Sequence, residues 1–196
     1  MQLPGPHVDS TVSLEQAIAL RRSVRVYSNQ SLTLDELSQL LWAAQGAATT
    51  EGFRNAPSAG ASYPLETYVV VGNVEGIEPG LYHYENGSHE ITQRLSGELI
   101  AELSNNSLGQ SCVREAAAVM VFAAVYERTT ERYGDRGLMY VHMDVGHAAQ
   151  NVLLQATALG LGSVPVGAFK TRTIRGQLGL EENEVPLYFV ALGKTD

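Results

Sequence analysis

The longest helical pattern in the chain runs from Leu138 to Leu159, and it constrains the fold more than any other feature. Apolar residues repeat along it at the three- and four-residue spacing of one helix face: Leu138, Val141, Val145, Ala148, Ala149, Val152, Leu153, Ala156 and Leu159. Gly160 follows where such a helix is expected to end. Because the other face also carries many Ala and Leu residues, we expect it to be largely buried too. The pattern therefore predicts a long helix in the core or at a subunit interface.

Two shorter helices are predicted near the N-terminus from their capping residues. Ser13 and Gln16 have the spacing of a capping box, and so do Thr33 and Glu36. Apolar residues at helical spacing follow each box, and Gly46 stands where the second helix would end. Both helices are expected on local grounds alone.

Strands are predicted from apolar runs bounded by turn residues, at 68–72, 117–126, 163–166 and 185–192. Asn86-Gly87 between two further short runs is a strong hairpin signal. Short helices are expected at 98–103 and 171–178, whereas the polar stretch 128–137 reads as a turn. Such a mixture predicts an α+β fold, and the length of 196 residues fits a single domain over residues 1–196.

Composition excludes some classes of partner. The formal net charge of −8 argues against nucleic acid, which requires broad basic surface. No apolar run is long enough to cross a membrane, and the first residues do not resemble a signal peptide. The single cysteine, Cys112, precedes an apolar run and is expected to be a small buried residue rather than a nucleophile. These features predict a cytoplasmic protein.

A basic cluster in this acidic chain, which we call the arginine segment (residues 21–25), directly follows the first helix. Arg21, Arg22 and Arg25 lie within five residues together with Ser23. The planar guanidinium fork matches phosphate oxygens, and a hydroxyl adds a neutral donor. The segment is therefore a candidate phosphate site for a mononucleotide cofactor. A solvated basic helix end explains the same residues, since cations near a helix C-terminus complement its dipole.

A second candidate feature is a stretch of small and turn-forming residues from Ala47 to Pro64. Its centre, which we call the small-residue loop (residues 57–62), has few bulky side chains. Such a backbone can approach a ligand closely.

Three other kinds of site are disfavoured. His142, Asp144 and His147 suggest a metal site, but His142 and Asp144 would point to nearly opposite sides of a helix. Gly160-Leu161-Gly162 follows a helix and lacks the third glycine of a dinucleotide fingerprint. Ser58 lacks the strand–turn–helix context of a hydrolase nucleophile.

Taken in order, these motifs resemble the nitroreductase-like FMN enzymes. The similarity rests on the arginine segment, on Pro57-Ser58-Ala59-Gly60, and on Leu159-Gly160-Leu161-Gly162 leading to residues 164–169. Residues 57–64, 80–84, 133–137 and 146–151 are similar to the SagB-type dehydrogenase subgroup, some of whose members oxidise thiazolines and oxazolines in modified peptides. The resemblance extends from Leu14 to Lys194. It implies a mostly antiparallel central sheet flanked by helices, with the long helix at a dimer interface.

The resemblance also implies FMN as cofactor and assigns residues to it. Arg21, Arg22 and Ser23 would hold the phosphate and ribityl chain with Lys194, and Arg25 would lie near flavin N1 and O2. The small-residue loop would line the ring edge from the other subunit of a homodimer, through Pro57, Ser58, Ala59, Gly60 and Ser62. Pro165, Val166 and Gly167 would cover one flavin face. Gln110 is a further cofactor-binding candidate.

The implied activity is the passage of a hydride or electrons between NAD(P)H, or an organic donor, and a small organic acceptor. An alternative is the oxidation of peptide azolines, for which the subgroup uses a Lys-Tyr pair. This chain has Arg132-Tyr133 at the corresponding positions, and arginine keeps its proton, so only Tyr133 stays as a candidate catalytic proton donor. A third alternative is a flavin-binding protein without turnover.

Overall fold

The computed structural model describes residues 1–47 and 52–195. Residues 48–51 of the stretch predicted as a loop between Ala47 and Pro64 lie outside the described residues. The helices are α1 (Leu14–Leu20), α2 (Leu34–Gln45), α3 (Ile100–Asn106), α4 (Ser111–Arg114), α5 (Glu127–Tyr133), α6 (Arg136–Ala158) and α7 (Thr171–Gln177). The strands are β1 (Leu65–Val71), β2 (Gly80–Glu85), β3 (Glu90–Ser96), β4 (Ala118–Val125), β5 (Gly162–Val166) and β6 (Glu184–Gly193).

The strands form one six-stranded sheet in the order β3-β2-β1-β4-β6-β5. Every neighbouring pair is antiparallel, which confirms the expected α+β fold with an antiparallel sheet flanked by helices. β2 and β3 form the hairpin predicted around Asn86-Gly87. Strand β4 is buried at all eight positions, because helices cover both faces of the sheet there. Its continuous apolar run is the sequence signature of that position.

Local capping explains where the first two helices begin. Ser13 Oγ accepts from the Gln16 N–H while the Gln16 side chain accepts from the Ser13 N–H. Thr33 and Glu36 make the same reciprocal pair, and α2 ends at Gly46. Both predicted capping boxes are confirmed.

Helix α6 confirms the long helix but not its burial. The inward face packs on the sheet, with Val141, Ala148 and Val152 fully enclosed. The opposite face was expected to be largely buried and is not, because Met139 is 37% and Met143 48% exposed. Leu138 at the start of the helix is also exposed. The sheet covers one side of α6 only, so burial of the other side requires something beyond this chain.

The polar stretch 128–137 was predicted as a turn, and this prediction was wrong. Residues 127–133 form α5, which has no side-chain cap. The helix is anchored by contacts to distant residues: Arg128 donates to Glu66 Oε1, and the Thr129 hydroxyl lies 2.7 Å from Ser62 Oγ. Such anchors are invisible to a local pattern. No helix of the described residues is long and apolar enough to cross a membrane.

Candidate functional site

The arginine segment is an extended strip that runs beside β5. The Val24 N–H donates to the Ser163 carbonyl at 2.9 Å, and the Ser28 N–H donates to the Lys194 carbonyl at 2.9 Å. These two bonds attach the strip to the edge strand β5 and attach the residues after it to the end of β6. Arg21 begins it as the C-cap of α1, so the helix end and the sheet edge together set the position of the guanidinium groups.

Two glycines make room for this strip. Gly162 of β5 and Gly193 of β6 are directly paired in the sheet. A Cβ on Gly193 would lie 2.6 Å from Tyr27 Cγ, and a Cβ on Gly162 would lie 2.9 Å from a Val24 methyl group. Only glycine permits this close packing. The Tyr27 hydroxyl, which donates toward the carbonyls of Val24 and Ala191, also holds the strip in place.

The side chains of the segment differ in how they are engaged. Arg22 donates to the carbonyls of Ala19 and Arg21, and thus caps the C-terminal end of α1. Arg25 makes one weak contact of 3.4 Å with the Ser23 carbonyl. Among the described residues, no carboxylate forms an ion pair with any of the three arginines. The guanidinium groups are therefore available to an anion.

Lys194 lies next to the strip but already has a partner. Its ammonium donates to Glu36 Oε1 at 2.6 Å, and both side chains are partly buried. The loop after β5 leaves the opposite end of that strand, because Val166 is its last residue. Gln110 donates from its amide to the carbonyls of Ser107 and Ala168, which ties this loop to the start of α4. The fold thus places the arginine segment and Lys194 at one end of β5, and Gln110 and residues 165–167 at the other end.

The small-residue loop lies against the N-terminal half of α6. Ser58 Oγ accepts from the Tyr63 N–H at 3.0 Å. Ala61 and Tyr63 have φ of 53° and 44°, the left-handed region that side chains with a Cβ rarely adopt. Gly60, with φ of 59°, lies tightly against α5, and a Cβ there would lie 2.5 Å from the Tyr133 hydroxyl and 2.8 Å from Arg132 Nη1. The loop is a strained, closely packed backbone turn.

Tyr133 is therefore placed directly against this loop. The Arg132 guanidinium lies 5.3 Å from the centre of the Tyr133 ring, and Tyr140 packs edge-on against the same ring. The tyrosine hydroxyl is thus close to the Gly60 backbone, and the Arg132 guanidinium lies near the same backbone.

A cavity of about 260 Å³ opens beside the loop, between residues 57–59 and α6. Its helix side is made by Tyr140, Met143, Asp144 and His147, none of which the sequence patterns assign to a cofactor. Asp144 is 4% exposed. Burial raises the pKa of its carboxyl group, while the Ser58 hydroxyl, the Ala59 N–H and His147 act in the opposite direction. The sequence does contain one feature that could have identified this site: Asp144 is an acidic residue on the apolar face of the helical pattern.

A second cleft, of about 720 Å³, lies along the C-terminal half of α6. Leu14 and Ala17 of α1, Gln39 and Trp42 of α2, and residues 154–159 contribute to its walls. Gln39 joins three segments there, because its side chain bonds the His7 backbone and Gln155. This polar and apolar cleft continues the exposed surface of α1, where Leu14 is 62% and Ile18 58% exposed.

The remaining candidate groups are structural. The described residues contain no cluster of metal-ligating side chains, and His142 points outward to Tyr126 while Asp144 points inward. Cys112 is buried, as expected.

Comparison with known proteins agrees with this architecture. A Methanocaldococcus jannaschii protein named as a nitroreductase is 47% identical over 194 residues, which cover 99% of this chain and 96% of that protein. A crystal structure of a Ralstonia eutropha protein, also named as a nitroreductase, superposes with a TM-score of 0.88 at 29% identity, covering 100% of this chain and 89% of the other. An NADPH-flavin oxidoreductase of Vibrio harveyi is 32% identical over 54% of this chain and 48% of its own length. The family model described as "Nitroreductase family" matches residues 18–194. The chain belongs to the Nitroreductase family.

Proposed function

We propose that the protein is an FMN-dependent oxidoreductase that works as a homodimer. It passes a hydride or electrons between NAD(P)H, or an organic donor, and a small organic acceptor. The observation that carries the proposal is the arginine segment, whose backbone is bonded to β5 and whose three guanidinium groups have no carboxylate partner among the described residues. Unneutralised guanidinium groups on an anchored backbone fit a phosphate monoester such as that of FMN.

The two parts of the proposed site, the small-residue loop and the arginine segment with α1, lie at different halves of α6. The small-residue loop lies near Asp144, whereas α1, which the arginine segment follows in the chain, lies near Ala158. These two helix positions are separated by about 21 Å at 1.5 Å per residue. Among the described residues, no hydrogen bond or ion pair connects the loop to the arginine segment. One copy of the chain therefore does not close the site.

A second copy would close it. If a twofold axis crosses α6, the loop of one subunit lies opposite the arginine segment of its partner. The exposed apolar residues of the α1 and α6 faces, Leu14, Ile18, Met139 and Met143, support such an interface. Gly146 stands in the same exposed stripe, with open space around a Cβ built on it. A glycine there permits a second helix to approach closely.

In this site the chain's own residues bind and orient. Arg21 and Ser23 would hold the phosphate, and Arg25 would place positive charge near the pyrimidine edge of the ring. The backbone of residues 165–167 would cover one ring face, and the partner's loop would exclude water from the edge. The bound flavin supplies the hydride and electron chemistry.

A second candidate activity, oxidation of peptide azolines, is favoured by one observation. The Tyr133 hydroxyl lies against the Gly60 backbone, where it would hydrogen-bond a peptide substrate, and the proton that such an oxidation releases would pass to solvent. Arg132 beside it holds its proton and serves as a charge rather than as a base.

The test is to purify the protein, record its visible spectrum and add NADH or NADPH without oxygen. We expect a yellow dimer whose flavin absorbance bleaches. A protein that stays colourless after saturation with FMN would contradict the cofactor. Bound FMN that neither nucleotide bleaches, but that a peptide thiazoline reduces, would favour the second activity. Bound FMN that no donor reduces would leave a flavin-binding protein.

A further inference from the structure

Asp144 is a buried acid that the proposed chemistry does not use. Its neighbours His142, Met143 and His147 are exposed, but the Asp144 side chain points inward. Its Oδ2 atom is enclosed and has no hydrogen-bond partner among the described residues. Nor does any described cation form an ion pair with it. A carboxyl group in this condition costs folding stability, so its presence calls for another role.

The groups that face Asp144 belong to the small-residue loop. The Ser58 hydroxyl and the Ala59 N–H are near enough to act on its charge. Both residues line the 260 Å³ cavity together with Asp144. The acid therefore lies directly under the part of the loop that would line the flavin edge.

The loop needs such support. Gly60, Ala61 and Tyr63 all have positive φ, and strained backbone persists only where its surroundings hold it. Within the loop, the N–H groups of Ala61 and Ser62 donate to the carbonyls of Ser58 and Ala59, and Ser58 Oγ accepts from the Tyr63 N–H. From α5, Arg132 and Arg128 donate to the carbonyls of Gly60 and Tyr63, and the Thr129 hydroxyl pairs with Ser62 Oγ. The contacts from α5 hold the C-terminal end of the loop. The N-terminal end, at Ser58 and Ala59, faces α6 at Asp144.

We infer that Asp144 is a positioning residue, which holds residues 58 and 59 in the conformation that receives the cofactor. It acts as a hydrogen-bond acceptor on the loop and does not itself touch the substrate. The inference rests on the proposed function, because it concerns the loop of the same site.

The test compares two substitutions of similar size. Asp144→Asn keeps an acceptor oxygen, whereas Asp144→Leu has none. The measurements are FMN affinity, by quenching of flavin fluorescence on titration of the apo-protein, and thermal unfolding of the same apo-protein. We expect Asp144→Asn to stay within about threefold of the wild-type FMN affinity and Asp144→Leu to lose at least about tenfold, the factor that one lost hydrogen bond produces.

The unfolding measurement separates positioning from mere structure. Asp144→Leu removes the desolvation cost of the enclosed Oδ2 together with one acceptor for the loop, and these changes oppose each other, so its apo-protein should melt close to the wild-type temperature. Weaker binding by an equally stable protein is not explained by misfolding. Ser58→Ala, which removes the loop partner instead, should weaken FMN binding, and Asp144→Leu should add little to it.

Wild-type FMN affinity in Asp144→Leu would overturn the inference. So would an equal loss in Asp144→Asn and Asp144→Leu, or fully additive losses with Ser58→Ala. If wild-type protein fails to bind FMN, the proposed function is wrong; if wild-type protein binds and the variants do not differ, only the role of Asp144 is wrong.

Discussion

Lys194 Nζ lies 2.6 Å from Glu36 Oε1, although the two residues are 158 positions apart in the chain. The other oxygen of Glu36 accepts from the Thr33 N–H and thereby caps α2. One carboxylate thus starts a helix and neutralises the lysine that follows the last strand. The pairing divides the basic residues around the β5–β6 edge into one neutralised ammonium and the guanidinium groups of the arginine segment.

This division predicts unequal contributions to FMN binding. Arg21→Ala should weaken binding by roughly 1.5–3 kcal/mol, as expected for a charge-assisted contact to phosphate. Lys194→Met should cost less than about 1 kcal/mol, because its charge is already compensated. Fluorescence titration of the apo-protein with FMN measures both, and Arg172→Ala, an exposed arginine on α7, controls for net charge. Equal losses at Arg21 and Lys194 would mean that the lysine leaves Glu36 to bind phosphate.

The packing of Tyr27 on Gly193 predicts a cost for any side chain there. Gly193→Ala should reduce the free energy of unfolding by about 1–3 kcal/mol, because the new methyl group overlaps the Tyr27 ring. The matched control is Gly176→Ala in the exposed helix α7, where open space surrounds the new methyl group and helix propensity favours alanine by up to about 1 kcal/mol. Urea unfolding of the apo-proteins measures both changes. Two variants of equal stability would show that the arginine segment is not held by this contact.

The exposed face of α6 predicts the site of self-association. Met143→Glu places a charge in the middle of that face, so the dimer should dissociate to monomers at micromolar concentration. Sedimentation velocity measures the change. Leu108→Glu is the matched control, since Leu108 is 65% exposed but lies in the turn after α3. A Met143→Glu protein that remains dimeric would place the interface on another surface.

A cluster at the start of β1 predicts how stability depends on pH. Glu66 accepts from both His83 and Arg128, and Glu85 accepts from the other ring nitrogen of His83. The bond to Glu66 raises the pKa of His83 above its ordinary value of 6.5, burial opposes this, and Glu85 adds to it. The protonated imidazole therefore stabilises the fold. This contribution is complete below pH 6.5 and is lost as the pH rises through the folded-state pKa.

His83→Gln tests that dependence, since glutamine keeps a donor toward Glu66 but does not titrate. Between pH 6 and 9, in steps of about half a pH unit, thermal unfolding should show the wild type losing less than about 1 kcal/mol, a small value because burial of His83 opposes the gain from its two carboxylate partners. The variant should be nearly independent of pH over the same range. Parallel curves for the two proteins would assign the pH dependence to other groups.

Local chemistry was sufficient for much of the fold. The reciprocal bonds of the two capping boxes join residues three positions apart, so their residue types alone predict where α1 and α2 begin. The hairpin follows from Asn86-Gly87, and the long helix follows from the spacing of its apolar residues. Motif order pointed to the family, and the matching family model confirmed it.

The features of the fold that no short-range sequence pattern predicts depend on contacts between residues distant in the chain. Helix α5 lacks a cap and is held by Glu66 and Ser62, so its own residues suggested a turn. Gly160-Leu161-Gly162 is not a dinucleotide fingerprint, and only the sheet shows what Gly162 does: it lies side by side with Gly193, where both glycines make room for Tyr27.

The residue types and their spacing decided the two capped helices, the long helix and the hairpin, because each of these depends on atoms a few residues apart. The tertiary structure decided which charges are compensated, which face of α6 is open and what the buried acid faces. Those outcomes depend on burial and on pairings between distant segments, such as Lys194 with Glu36 and Asp144 with the small-residue loop, which exist only once the sheet and helices are packed.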